Sequence, residues 1–101
     1  MIEFINITST FETKENANLI SSILIKKELV ACCQISGPIQ SQYRWKGKVE
    51  NDTEWICQLK THSKHVKEII QIIKAEHSYD IPQITVTPII DGNVDFLNWI
   101  N

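Results

Sequence analysis

Hydrophobic and polar residues interleave over residues 2–8, "IEFINIT", which are β-branched or aromatic and so predict a strand. Ile5 and Ile7 share one face, with Ile2 and Phe4 in the neighbouring positions. The following "TSTFET" offers several hydroxyl N-caps. From about Thr13 to Glu28 the spacing changes. Ala17, Ile20, Ile23 and Leu24 recur at helical intervals, and Lys26 and Lys27 fall in the last turn, where they suit the helix dipole.

Residues 29–36, "LVACCQIS", predict a second strand, interrupted at Gly37-Pro38 as by a bulge or kink and resumed through "IQSQYRW". Lys46-Gly47 fits a tight hairpin turn. "KVENDTEWICQLKT" returns as a third strand, in which Asn51-Asp52 marks a candidate bulge. Trp55, Cys57 and Leu59 there alternate with Ile56, Gln58 and Lys60. Ser63 is placed to cap a second helix with an apolar stripe of Val66, Ile69, Ile70 and Ile73, ending near His77. "SYDIP" is a loop. Residues 83–90, "QITVTPII", predict a fourth strand with Ile84 and Val86 on one face, its far end at an edge or outside the ladder because of Pro88. Asp91-Gly92 is a turn, and "NVDFLNWI" a short amphipathic helix capped by Asn93.

The order β-α-β-β-α-β plus a final helix predicts an α+β, ferredoxin-like split βαβ fold with the second and fourth strands at the sheet edges. Lengths add a constraint. An extended run over residues 30–45 reaches roughly 50 Å at ~3.3 Å per residue, whereas a helix of equal length reaches only ~24 Å. The hairpin therefore outruns its two-helix layer. Tyr43, Trp45 and Trp55 in its far half are left without a helix of their own chain above them, and a long bare edge is a pairing template. This predicts an oligomer in which the arms pair with or wrap a neighbour.

Composition narrows the class. A chain of 101 residues suits a single domain, residues 1–101. Net charge is −2 with the cations dispersed, which gives no nucleic-acid surface. No apolar run approaches a membrane span, and "MIEFINIT" reads as a strand and not as a signal peptide. Cys32, Cys33 and Cys57 are an odd set with two adjacent, which is no disulfide framework and points to a reducing, cytoplasmic setting. Adjacent residues on a strand face opposite ways, so Cys32 and Cys33 do not converge on a metal. Cys57 on the next strand suits packing as a small hydrophobe, or a regulatory thiol.

"ELVACCQISGPIQSQYRWKGKVENDTEW", followed by "LKT", "HSYDIPQI" and the terminal "FLNWI", resembles the CutA divalent-cation tolerance family across nearly the whole chain. The resemblance implies a homotrimer of ferredoxin-like subunits, similar to PII signalling proteins, with hairpins paired across subunits. It also implies a link to tolerance of copper and other divalent metals, with Cu(II) or Zn(II) as candidate ligands and no obligatory cofactor. Some members are tied to anchoring of a membrane enzyme. Members with proposed copper ligands carry a Cys near the end of the first strand and paired His after the second helix. Here those positions hold Thr8, Glu76 and His77, while Ser78 and Gln83 replace a Pro and a Glu. Without the Cys, the soft ligand that favours Cu(I) is lost.

Two readings stand at each candidate site. Glu76 and His77 offer one oxygen and one nitrogen ligand per chain at a subunit junction, or His77 serves the last carbonyls of its helix. His62 and His65 share a surface metal or form a solvated first turn. Tyr43, Trp45, Tyr79 and Lys60 line an intersubunit cleft suited to a small anion, or the rings seal an interface and Lys60 forms an ion pair. No glycine-rich phosphate loop, His-Glu-x-x-His pattern or Ser-His-Asp set stands out, so the expectation is a binding protein and not an enzyme.

Overall fold

The computed structural model describes residues 3–101, so the expected placement of Ile2 lies outside it. The elements are β1 (Phe4–Phe11), α1 (Lys14–Lys26), β2 (Cys32–Trp45), β3 (Lys48–His62), α2 (Val66–Glu76), β4 (Ile84–Pro88) and α3 (Val94–Ile100), with a 3-10 turn at Ser63–His65 before α2. The four strands form one antiparallel sheet in the order β2-β3-β1-β4, with β2 and β4 at the edges, as the ferredoxin-like reading requires.

Strand register builds the core. Ile5, Ile7, Ser9 and Phe11 pair with Thr61, Leu59, Cys57 and Trp55, so these eight side chains share one face of the sheet. Ala17, Ile20 and Leu24 of α1 and Ile69 and Ile73 of α2 cover that face and are wholly or almost wholly buried. Truncating Ile69 or Ile73 to Ala would cost about 2–5 kcal/mol through lost burial and a cavity. Among the core's polar groups, Thr61 Oγ1 donates to the Leu29 carbonyl at 2.6 Å, and Ser9 Oγ donates to the Gln83 carbonyl at 2.7 Å.

Several boundaries differ from the sequence reading. The first strand runs on to Phe11, because Phe11 is buried opposite Trp55, and Thr13 alone caps α1 by accepting from the Asn16 N–H. The first helix stops at Lys26. Glu28 turns at φ 59°, and Leu29 and Val30 fold back into the core, so β2 starts only at Cys32. His62, not Ser63, caps the 3-10 turn, its Nδ1 accepting from the Lys64 N–H at 3.0 Å. Asn51 and Asp52 pair regularly with Gln42 and Ser41; the only register shift in the hairpin lies between Ser36 and Ile39, opposite Trp55. There Gly37 is required. A Cβ on it would stand 2.7 Å from the Trp55 ring, and its φ of 155° disfavours a side chain.

Beyond the Phe11–Trp55 pair, β3 has only β2 for a partner among the described residues. Residues 39–45 and 48–54 form a two-stranded arm reaching roughly 23 Å at ~3.3 Å per residue. Lys46 (φ 51°) and Gly47 (φ 79°) close it in a turn whose twist matches the strands. The molecule is accordingly elongated, at 44 × 25 × 23 Å.

Candidate functional site

The arm and the loop after α2 border an open cavity of about 720 Å³. Its walls come from Gln40, Ser41, Gln42, Tyr43, Trp45 and Glu54 of the arm, Thr10 of β1, and residues 78–81 and Gln83 of the loop. His77 holds the loop in place. The Tyr79 N–H donates to His77 Nδ1 at 3.1 Å, so Nε2 carries the ring proton and donates to the Thr10 carbonyl at 2.8 Å. The ring stacks on Phe11, centroids 4.6 Å apart, and sits 4.9 Å from the tilted Tyr79 ring.

Glu54 lies at the meeting point of arm and loop and is 93% buried, having 7% of its surface exposed. Its Oε2 accepts from the Tyr79 hydroxyl at 2.9 Å. Burial and then this bond to the Glu54 carboxylate push the Tyr79 phenol well above its ordinary range. Nearer the tip, the Tyr43 hydroxyl donates to Asp52, which raises the Tyr43 phenol to about 12.

The structure brings Tyr43, Trp45 and Tyr79 to one cavity but not Lys60 or Trp55. Lys60 points its Nζ at Gln34 Oε1, 2.7 Å away, and does not line it. Trp55 does lie under its own chain, against expectation. It faces the helices beside Phe11, packs on the core, closes over Gly37 and has Lys14 Nζ 5.5 Å from its ring centroid. Tyr43 and Trp45 match the expectation of uncovered rings, at 41% and 38% exposed. Sequence reasoning missed Glu54, Thr10, Asp80 and Gln83. Nothing in spacing separates Glu54 from the solvated charges around it; only the reach of Tyr79 marks it.

The metal ligands expected at Glu76 and His77 do not assemble within one chain. Both nitrogens of His77 are engaged and Glu76 is exposed. Thr8 Oγ1 accepts from Asn6 Nδ2 at 3.1 Å. His62 is occupied by its turn and packs edge-on against Phe4. Among the described residues no three His, Cys, Asp or Glu side chains gather as a ligand set. A thiolate–imidazole copper site therefore does not fit these residues. The cysteines are all free. Cys33 and Cys57 meet at Ser21, whose Oγ is 3.2 Å from Cys57 Sγ. Hydrogen bonding with Cys57, reinforced by burial, holds Cys33 far above the usual thiol range, while the bond from Cys33 draws Cys57 down.

No helix among the described residues is long and apolar enough to cross a membrane. The family model for the CutA1 divalent ion tolerance protein matches residues 5–101. The divalent-cation tolerance protein CutA of Archaeoglobus fulgidus is 41% identical over 101 residues, covering 100% of this chain and 96% of that protein. The crystal structure of CutA1 from Oryza sativa superposes with a TM-score of 0.94 at 32% identity, covering 98% of this chain and 91% of that one. The structure from Archaeoglobus fulgidus, described as a periplasmic divalent cation tolerance protein, superposes at 0.93 with 39% identity, covering 96% and 94%. Some full-length relatives are longer: the chain spans about half of the rice chloroplastic and mouse CutA proteins, 51% and 56%. Fold, hairpin motif and near-complete coverage agree, and the chain belongs to the CutA1 divalent ion tolerance family.

Proposed function

We propose that this chain acts as a homotrimeric, non-catalytic binding protein in divalent-metal tolerance, copper included, in a reducing cytoplasmic setting. The observation that carries the reading is the arm. It is two strands wide, carries exposed Tyr43, Trp45 and Val49, and leaves the β2 edge unpaired among the described residues. An isolated two-stranded ribbon is marginal in water, so pairing with a second and third copy is what stabilises it. Relatives named for divalent-cation tolerance support the metal half of the reading. Glu76, exposed at the end of α2, is free to serve as an oxygen donor, whereas His77 would have to abandon Thr10 and Tyr79 to join it. Calorimetric titration with Cu²⁺ and Zn²⁺ tests this. Saturable binding that survives His77→Ala is expected; no saturable binding by either metal contradicts it.

A second reading, a PII-like module that takes a small metabolite, is favoured by the cavity between arm and loop. Its size suits a small molecule. The carboxylates of Glu54 and Asp80 in its lining speak against a nucleotide phosphate there. Anchoring of a protein partner has no comparable support from the geometry.

A further inference from the structure

We infer that Cys33 and Cys57 form a two-coordinate site for a soft, thiophilic cation of the Cu(I) or Hg(II) kind. The pair lies beneath α1, away from the arm tip and from Glu76. It goes beyond the tolerance reading by naming a different class of ion at a different place.

Register comes first. Cys33 stands opposite Leu59 and Ile35 opposite Cys57, so the two cysteines are diagonal neighbours on adjacent strands. Both face the helix layer. Cys57 has no exposed surface, and Cys33, half-buried, packs against the same core. Cys32 falls on the opposite face of β2. The two sulfurs lie within hydrogen-bonding reach of one another. Ser21 of α1 joins them: its Oγ is 3.2 Å from Cys57 Sγ, and its carbonyl accepts from Cys33 Sγ at 3.8 Å. Every donor comes from one chain, so the site is complete without a neighbouring copy.

Spacing decides what such a pair can hold. Diagonal cross-strand residues stand roughly 7–8 Å apart at Cα, whereas a disulfide wants about 4.4–6.8 Å. A metal between two thiolates adds bonds of about 2.3 Å each and so sets the sulfurs roughly 4.6 Å apart. The wider spacing accommodates that bridge better than a direct bond. A structural zinc site calls for four ligands, and no three His, Cys, Asp or Glu side chains gather among the described residues. Two thiolates alone suit a soft cation that accepts two ligands. On binding, both thiols release their protons to solvent, two metal–sulfur bonds form, and no electrons are transferred. A divalent ion leaves a neutral complex, which suits the apolar core around Leu59 and Ile20. A monovalent ion leaves one negative charge, to which the Ser21 hydroxyl donates. Cys33, half-buried on the edge strand β2, provides the way in.

The test uses the full chain carrying Cys32→Ser, which removes the third thiol and leaves the pair intact. Cu(I), kept anaerobic with a phosphine reductant, is titrated in competition with bicinchoninate. Hg²⁺ is followed by its thiolate absorption, with Zn²⁺ as the control. The expected result is one ion per chain, two sulfur neighbours by X-ray absorption, and no displacement by Zn²⁺. Cys33→Ser and Cys57→Ser on that background should each weaken Cu(I) binding by about 10²–10⁴-fold, the loss of a tethered second ligand. Should Cys57→Ser fail to fold by circular dichroism, Cys33→Ser, at the half-buried position, carries the test alone. Binding of one ion and not the other supports the site and fixes the charge it takes. The inference is overturned if neither ion shows two sulfur neighbours, if Cys33→Ser binds like its parent, or if Cys32→Ser itself abolishes binding. Cu(I) binding in a chain that takes up neither Cu²⁺ nor Zn²⁺ would support it and remove the Glu76 reading instead.

Discussion

The imidazole of His77 lies nearly parallel to the ring of Phe11, at 4.6 Å between centroids and 16° between planes, with both nitrogens hydrogen-bonded to backbone. The histidine read from the sequence as a candidate metal ligand is thus a latch joining the end of α2 to the end of β1. His77→Ala removes the stack and strands the Thr10 carbonyl and Tyr79 N–H. It should cost about 1–3 kcal/mol in urea unfolding. Unchanged stability would show that the latch contributes nothing.

Tyr79 links the same loop to alkaline pH. Its folded-state phenol is raised above the ordinary 10.0, by burial and by Glu54. The folded protein therefore holds that proton where the unfolded chain releases it. This contribution is fully present below pH 10.0 and is lost as pH rises through the folded value. Stability followed by thermal melts should fall above that point, less steeply in Tyr79→Phe. Identical alkaline slopes would contradict the assignment.

Gly37→Ala should destabilise the chain by about 1–3 kcal/mol, since the new Cβ meets the Trp55 ring and the Glu54 carbonyl in an unfavourable backbone region. A melting temperature equal to wild type would mean that the bulge relaxes freely.

The two arm tryptophans should separate fold from assembly. Trp45 is uncovered near the tip and Trp55 packs on the core. Trp45→Ala should weaken association, read as a concentration-dependent mass, with far-ultraviolet circular dichroism unchanged. Trp55→Ala should lower subunit stability by about 3–5 kcal/mol. The reverse pattern would exchange their roles.

Much of the fold was legible because local signals agreed with it: helical spacing in Ala17, Ile20 and Leu24, alternation through Cys57 and Leu59, and Lys46-Gly47 at the turn. Trp55 was misplaced because a length argument treats the whole distal hairpin as bare. The register shift at Gly37, which lets the ring sink beside Phe11, appears only once strands are paired. The expected bulge at Gly37-Pro38 is present, where φ is special, whereas Asn51-Asp52 pair in regular register and Asp52 accepts from the Tyr43 hydroxyl. The site was harder to read. Tyr43, Trp45 and Tyr79 announced themselves as aromatics, but Glu54 resembles any charged strand residue. Its role comes from a hydrogen bond to a residue 25 positions away. Lys60 alternates correctly along β3 yet finds Gln34 across the strand, a pairing that spacing alone does not encode.

The central claim is that the arm exists to be paired with other copies of the chain. Light scattering after size exclusion at micromolar concentration measures this directly. A mass near three times the chain's 11.7 kDa is expected. A single species at 11.7 kDa would contradict the account, leaving the exposed Tyr43 and Trp45 without a partner.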